Sequence, residues 1–329
     1  MGLMMGLPGC GMGGGGVQPL AGYAVGGVMP VMLHDFVTGL ALGSPWSLTR
    51  ASPATYVGAD GLIMSAPVDQ PRYDYSAGKR ALLLEASSTN LLPNSAQFDA
   101  ASWAKTRASV LANAALAPDG TMTADKLVED TSNNSHFAAR TGTQIAGGTA
   151  MVASIFAKAA ERRWFALVTA DSANLFRTTY FDLQTGMLGV VSQGAAGHVA
   201  QIVAAGNGWY RCSVMQTQTA ASGNFNFYPS VVSANGTTSY LGDGASGLYL
   251  WGAQLEVGAA VSSLIPTDAA AVTRAADLAS VAVAAGSYDI RRVDATGTTV
   301  TKGVAHPGGA MAIGAGAIHL LSLYPAGAL

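Results

Sequence analysis

Large apolar residues alternate with small or polar ones through the middle of the chain, most clearly over residues 206–266. Phe225 and Phe227, for example, alternate with Asn224, Asn226 and Tyr228. Successive side chains of a strand point to opposite faces of its sheet. The alternation, bounded by glycines, therefore predicts a strand with one face in a core and the other facing water or a ligand.

The same period recurs in short segments separated by turn residues, and no segment has a convincing long helical pattern. The predicted strands are 125–129, 136–140, 150–157, 163–170, 176–183, 187–192, 199–204, 209–217, 224–231 and 248–257. Residues 182–186 are predicted to form a hairpin turn. Many short strands at regular spacing indicate an all-β fold, and we expect a jelly-roll β-sandwich over residues 90–270.

Three further segments flank the predicted sandwich. Residues 1–33 hold eleven glycines and no charged residue. They cannot bury enough apolar surface to offset the entropy of ordering, so we expect an extended Gly-rich assembly arm held by neighbouring chains. Residues 34–89 are predicted to be a connecting β segment. Residues 271–329 are predicted to be a small C-terminal β domain, with breaks at Gly286-Ser287, Thr296-Gly297 and Pro307-Gly308-Gly309.

Low charge narrows the classes of partner. The 329 residues include 17 Lys and Arg against 19 Asp and Glu, and only 11% are charged, whereas about 25% is usual for soluble domains. Such a surface attracts nucleic acid and anionic lipid poorly. No uninterrupted apolar run is long enough for a membrane helix, and the N-terminus lacks the basic residues of a secretory signal. We therefore expect neither nucleic-acid binding nor membrane insertion. We expect instead that the surface binds uncharged polar ligands or is largely covered by partner proteins.

Residues capable of catalysis are present but form no recognisable motif. The five histidines have no metal-ligand spacing, and the two cysteines are interpreted as free or buried thiols. A glycosidase needs two carboxyl groups about 5 to 10 Å apart, and the candidate acids are Asp171, Asp182, Asp243 and Glu256. The sequence alone does not place any two of them together, and we expect no catalytic residues, no bound metal, no cofactor and no enzyme activity.

A sugar ligand is held by flat aromatic faces, while amide, carboxylate and guanidinium groups bind its hydroxyls. Asn224, Asn226 and Tyr228 share one predicted strand face and offer part of that mixture. Residues on neighbouring predicted strands could complete the patch, namely Arg163, Trp164 and Arg177. Tryptophans at alternating positions are also common core residues, so a packing role for Trp164 stays open.

A series of motifs resembles phage virion fibre and head-spike proteins, including the spikes of gene transfer agents. The series is Thr49-Arg50-Ala51-Ser52, Pro71-Arg72-Tyr73-Asp74, Leu83-Leu84-Glu85, Thr89-Asn90-Leu91-Leu92, Asn207-Gly208-Trp209-Tyr210-Arg211 and Leu250-Trp251-Gly252-Ala253-Gln254-Leu255-Glu256. It spans residues 48–277, and the Gly-rich start does not belong to it. The resemblance implies a central jelly roll like that of a carbohydrate-binding module.

The resemblance also implies a function and a location. We expect a fibre, spike or neck component at the surface of a phage particle that binds a host cell-surface polysaccharide. It would attach to other virion proteins through residues 1–33 and form a homo-oligomer. Fibres of this kind are often trimers, whereas a five-fold vertex would suit a pentamer. Two alternatives stay open: a purely structural decoration or connector protein of the capsid or tail, and a glycan depolymerase.

Overall fold

The computed structural model describes residues 20–39, 41–191, 198–219 and 221–329. Contacts divide these residues into two compact units. The sandwich unit comprises residues 60–65 and 87–274. The terminal unit comprises the described residues up to Ala59, residues 66–86 and residues 275–329.

Strands dominate the described residues, together with one short 3-10 helix, Leu20–Tyr23. The strands are β1 Met32–Asp35, β2 Trp46–Thr49, β3 Ala54–Val57, β4 Ile63–Ala66, β5 Arg72–Asp74, β6 Ala81–Leu84, β7 Ser88–Asn90, β8 Ala104–Thr106, β9 Ala108–Ala115, β10 Ala124–Glu129, β11 Asn133–Asn134, β12 His136–Ile145, β13 Ala150–Ala159, β14 Trp164–Ala170, β15 Phe176–Asp182, β16 Met187–Val191, β17 Val199–Ala204, β18 Trp209–Thr217, β19 Gly223–Val232, β20 Tyr240–Leu241, β21 Gly247–Val257, β22 Val272–Arg274, β23 Leu278–Asp294, β24 Gly297–Ile313 and β25 Gly316–Pro325.

The sandwich unit consists mainly of two six-stranded antiparallel sheets. Sheet I has the order β16-β15-β14-β19-β12-β8, and sheet II has the order β17-β18-β13-β21-β10-β9. One core joins them: Phe165, Phe181 and Phe227 of sheet I belong to the same buried cluster as Ile155 and Leu250 of sheet II. The prediction of an all-β, jelly-roll type sandwich is therefore confirmed.

Strand bounds in this unit follow the sequence pattern closely. The predicted strand 209–217 is β18, and 224–231 lies within β19. The predicted hairpin turn at residues 182–186 is also confirmed. There the carbonyl of Asp182 accepts a 2.9 Å hydrogen bond from the amide of Gly186, whose φ of +69° suits glycine.

The terminal unit is built around one seven-stranded sheet. Its order is β2-β23-β25-β6-β5, while β1 also pairs with β25 and β24 with β23. Leu82, Val281 and Leu323 are fully buried in its core. Strands from the predicted connecting segment and from the predicted C-terminal domain thus share one sheet. The structure groups these two stretches into one unit, because their apolar faces are buried together.

One expectation for this unit is wrong. The breaks at Gly286-Ser287 and Pro307-Gly308-Gly309 lie inside β23 and β24, which pair along most of their lengths. The ladder continues because Gly286 lies opposite His306 and needs no special turn there. Part of the arm also packs on its own chain: Met32 pairs with Leu323 on β25. Residues 1–19 of the arm lie outside the described residues.

Candidate functional site

The outer face of sheet I carries the side chains expected for a ligand site. Phe225 and Phe227 of β19 are buried in the sandwich core, as their alternation predicts. Asn224, Asn226 and Tyr228 therefore point to the opposite, outer face. Asn224 is exposed, Tyr228 is half-buried, and Asn226 is nearly covered.

Three aromatic rings meet around Tyr228 on this face. The centroid of its ring lies 5.6 Å from that of Phe137 of β12, with the two planes at 87°. On the other side the ring of Phe176 of β15 lies 5.9 Å away, tilted by 34°. Edge-to-face and offset packing at such distances is favourable. Phe176 is nevertheless 51% exposed, so the cluster presents a wide apolar surface to solvent.

Amide groups border the aromatic cluster on one side. The side-chain oxygen of Asn226 accepts a 3.0 Å hydrogen bond from the amide of Gly142. Asn224, two residues before Asn226 on β19, accepts a hydrogen bond from the side-chain amide of Gln144. The Asn226 oxygen is engaged in positioning the β12 bulge, whereas Asn224 and Gln144 are exposed. Hydrogen-bonding groups thus lie beside the rings.

Trp164 lies on the same outer face at the opposite end of β14. It pairs with Val232 of β19 and packs against a small buried cluster of Ala166, Tyr180 and Val232. It lies four positions along β14 from Val168, the partner of Tyr228, which corresponds to about 13 Å. Trp164 is half-buried, so it packs on the sheet and still reaches the surface.

Arg163 stands beside Trp164 but is held by Asp182. Its Nε donates to Oδ1 of Asp182 at 2.5 Å, and Nη2 donates to Oδ2. Asp182 also accepts from Thr185, and these contacts hold the pKa of the carboxyl well below its usual range. The guanidinium lies 5.7 Å from the centre of the Trp164 ring. Arg163 is therefore a fixed, half-exposed cation at this end of the face.

Arg177 does not belong to this face, and its placement there is wrong. Arg177 lies on the same face of β15 as Phe181, which is buried in the core, so its side chain points between the sheets. There Nη1 contacts Oδ2 of Asp171 at 3.3 Å. On the same inner face Thr179 contacts Nε2 of His198 at 2.9 Å. Burial and the charge of Arg177 lower the pKa of His198.

Sequence reasoning missed Phe137 and Phe176. The alternation of side chains along β15 could have placed Phe176 on the outer face, because every second residue from Phe176 onward points the same way. That signal is ambiguous in Phe-Arg-Thr-Thr-Tyr-Phe-Asp, since aromatic residues occur at both parities. Phe137 follows His136, whose side chain is fully buried, and only the pairing of Phe137 with Ser230 of β19 reveals its face.

The candidate acids are engaged in separate hydrogen-bond networks. Asp171 contacts Arg177 and Asp182 contacts Arg163. Asp243 accepts from Ser246 at 2.5 Å, and Glu256 accepts from Ser88 at 2.6 Å. Within the described ranges, no three His, Cys, Asp or Glu side chains are grouped to hold a metal ion. Cys212 is buried and free, and Cys10 lies outside the described residues.

None of the helices in the described part of the chain has the length and apolar character required to cross a membrane.

Comparisons with known proteins give little to set beside this geometry. No protein-family model matches the chain, and no curated protein matches it. A solved structure that matches is the N-terminal endo-1,4-beta-D-xylanase 10B of Clostridium thermocellum, as its CBM22-1 and GH10 modules complexed with xylohexaose. The match has 16% identity and a TM-score of 0.31, and covers 55% of this chain and 30% of that chain. A likeness this weak supports no statement about ligand or activity.

Proposed function

We propose that the protein is a virion structural and adhesion protein, a fibre, spike or neck component, that binds a host cell-surface polysaccharide. The outer face of sheet I is the binding surface. The observation that carries the proposal is the cluster in which Tyr228 lies between Phe137 and Phe176, with Phe176 half exposed. The virion part rests on the motif resemblance.

The chemistry of the face suits a neutral sugar chain. Aromatic rings cover the C–H faces of sugar rings, and nearby amides bind the hydroxyls. Asn224 and Gln144 supply such amides four positions along β19 from Tyr228, while Trp164 and Arg163 lie in the opposite direction from Tyr228 along the same face. The separation of about 13 Å along β14 between Trp164 and the position beside Tyr228 favours an extended chain of several sugar units over a single monosaccharide.

Binding to intact host cells tests the adhesive role. Labelled wild-type protein should bind encapsulated cells and lose binding to cells that lack the surface polysaccharide. The double variant Phe176→Ala/Tyr228→Ala should bind at least about tenfold more weakly, because each ring contributes about 1 kcal/mol or more. Leu241→Ala is the matched control, since Leu241 is 69% exposed but lies outside the face. Equal binding by all three proteins would contradict the proposal.

The remaining alternatives predict different results. A connector protein without a glycan ligand would be found in particles by immunogold labelling but would bind no host polysaccharide. A depolymerase would release reducing ends from the polysaccharide, and substitution of a pair of acids would abolish the release. An adhesion protein should label the particle surface and bind the polysaccharide without shortening it.

We further propose that the protein is a homo-oligomer, assembled through the edge strands β16 and β17 of the sandwich. Apolar side chains are unusually exposed there: Met187 is 65% exposed, Val190 47%, Val199 57% and Val203 46%. Each of the two edge strands thus carries exposed apolar side chains, and edge strands also offer unpaired backbone groups with which a second copy can pair. In light scattering, Met187→Lys/Val199→Lys should reduce the oligomer to monomers, whereas Leu241→Lys should not.

A further inference from the structure

A groove of about 570 Å³ opens on the terminal unit, away from any residue assigned above. It is bounded by residues 22–25, by Asp35 and Val37, and by Lys79, Arg291 and His319. Its volume is in the range of small-ligand sites, about 300 to 1,000 Å³.

The wall of the groove is held in place by hydrogen bonds. The hydroxyl of Tyr324 donates to the carbonyl of Tyr23 at 2.6 Å, and the hydroxyl of Tyr23 donates to Oδ2 of Asp35 at 2.6 Å. That contact with Asp35 raises the pKa of Tyr23 to about 12. The segment that begins at Tyr23 is thus fastened to β25 and β1 over a wide pH range.

Asp35 is the one carboxylate among the described residues that line the groove, and both of its oxygens already accept hydrogen bonds. Besides Tyr23, Asp35 accepts from the amides of Val37 at 2.9 Å and Thr38 at 3.3 Å. Its charge is therefore directed at groups of its own wall. Two cationic side chains, Lys79 and Arg291, line the groove against this one carboxylate.

The basic side chains that line the groove, unlike Asp35, lack partners of this kind in the part of the chain that the structure describes. Lys79 and Arg291 line it, and neither is in an ion pair with any carboxylate of the described residues. His319 also lines it, and its buried Nε2 has no hydrogen-bond partner there. A buried polar atom without a partner costs about 1 to 3 kcal/mol, so His319 is an unsatisfied polar position in the wall of the groove.

We propose that this groove binds a small oxyanion, that is, a molecule with a carboxylate, sulfate or phosphate group. The oxygens of that group would accept from Lys79 and Arg291, with charge-assisted hydrogen bonds of the kind guanidinium and ammonium groups form with such anions. His319 would form part of the wall around the same ligand. This site is independent of the outer face of sheet I and does not rest on the proposed adhesive function.

Calorimetric titration of the full chain tests the site with four probes at constant ionic strength: inorganic phosphate, sulfate, glucuronate and glucose. Glucose is the neutral match for glucuronate. At least one anion should bind with a Kd below ~1 mM, and glucose should not bind this site. Binding of phosphate or sulfate alone assigns a tetrahedral anion, and binding of glucuronate alone assigns a carboxylate.

Substitutions then locate the binding. Arg291→Gln should lower the affinity for the anion about tenfold or more, and Lys79→Gln, tested separately, should do the same. Lys302→Gln removes one exposed positive charge from the same unit but outside the groove and should leave the affinity unchanged. Lys79 is exposed, so its variant should fold normally even if Arg291→Gln does not. Absence of binding by all three anions, or equal weakening by Lys302→Gln, would overturn the proposal.

Discussion

Arg50 and Asp277 lie 227 positions apart in the sequence, yet Nη1 of Arg50 is 2.9 Å from Oδ1 of Asp277. Both side chains are completely buried. The other carboxylate oxygen of Asp277 contacts Nη2 of Arg72, which is also completely buried, and Arg72 contacts Glu85 at 2.6 Å. Two arginines and two acids from distant segments thus form one neutral network inside the terminal unit.

Asp277→Ala should unfold the terminal unit readily. The substitution leaves Arg50 and Arg72 buried without their shared carboxylate, and breaking a buried ion pair from one side costs about 3 to 5 kcal/mol. Chemical denaturation followed by circular dichroism measures the change. Lys302→Gln, which alters an exposed charge of the same unit, should stay within about 0.5 kcal/mol of wild type. A loss below 1 kcal/mol for Asp277→Ala would show that the network is dispensable.

This network explains what part of the motif series encodes. Arg50, Arg72 and Glu85 are motif residues, and all of them are used for packing inside the terminal unit. Sequence pattern could not show this, because the pairing joins residues far apart and no local period reports it. The resemblance therefore describes the scaffold of the chain more directly than its ligand.

The two phenylalanines of β15 should respond differently to truncation. Phe181 is completely buried and stacks on Phe165 with their centroids 5.8 Å apart, so Phe181→Ala should cost about 3 to 5 kcal/mol. Phe176 points outward and is half exposed, so Phe176→Ala should cost less than about 1 kcal/mol. Denaturant titrations of the two variants decide the matter. Similar losses would mean that the faces of β15 are assigned wrongly.

How far the sequence predicts the candidate site depends on how clearly each strand alternates. In β19 the apolar residues Phe225 and Phe227 alternate strictly with the polar residues Asn224 and Asn226. The face of β19 that lies in the core could therefore be predicted. In β15 hydrophobicity does not distinguish the two faces, so the inward direction of Arg177 could not be predicted from the pattern. Phe137 could not be predicted, because its position beside Tyr228 depends on strand pairing.

Gly189 should not tolerate a side chain. A Cβ at this position would lie 2.3 Å from Oδ1 of Asn235 and 2.7 Å from a ring carbon of Trp164. Gly189→Ala should therefore displace the Trp164 ring and destabilise the sandwich unit by about 1 to 3 kcal/mol. The tryptophan emission spectrum and the unfolding midpoint report the two effects. Gly43→Ala, where a Cβ would meet no atom within 4 Å, should leave both unchanged.

Protonation of His198 should weaken the sandwich unit in mildly acidic solution. Burial and Arg177 depress its pKa in the folded state, whereas the unfolded chain titrates near 6.5, about the usual value. Below about pH 6.5 the unfolded state therefore binds more protons than the folded state. The free energy of unfolding has its full value above that pH and decreases as the pH falls below it. Between pH 7.5 and pH 5, the free energy of unfolding should decrease less for His198→Gln than for the wild type. Parallel pH profiles would contradict the assignment.

A glycan array of bacterial surface polysaccharides tests the central claim most directly, probed with wild-type protein, Phe176→Ala/Tyr228→Ala and Leu241→Ala. The account predicts that wild type and Leu241→Ala bind the same polysaccharide and that the double variant, although folded, loses about tenfold or more of the affinity. Undiminished binding by the folded double variant, or no binding of any polysaccharide by the wild type, would contradict it.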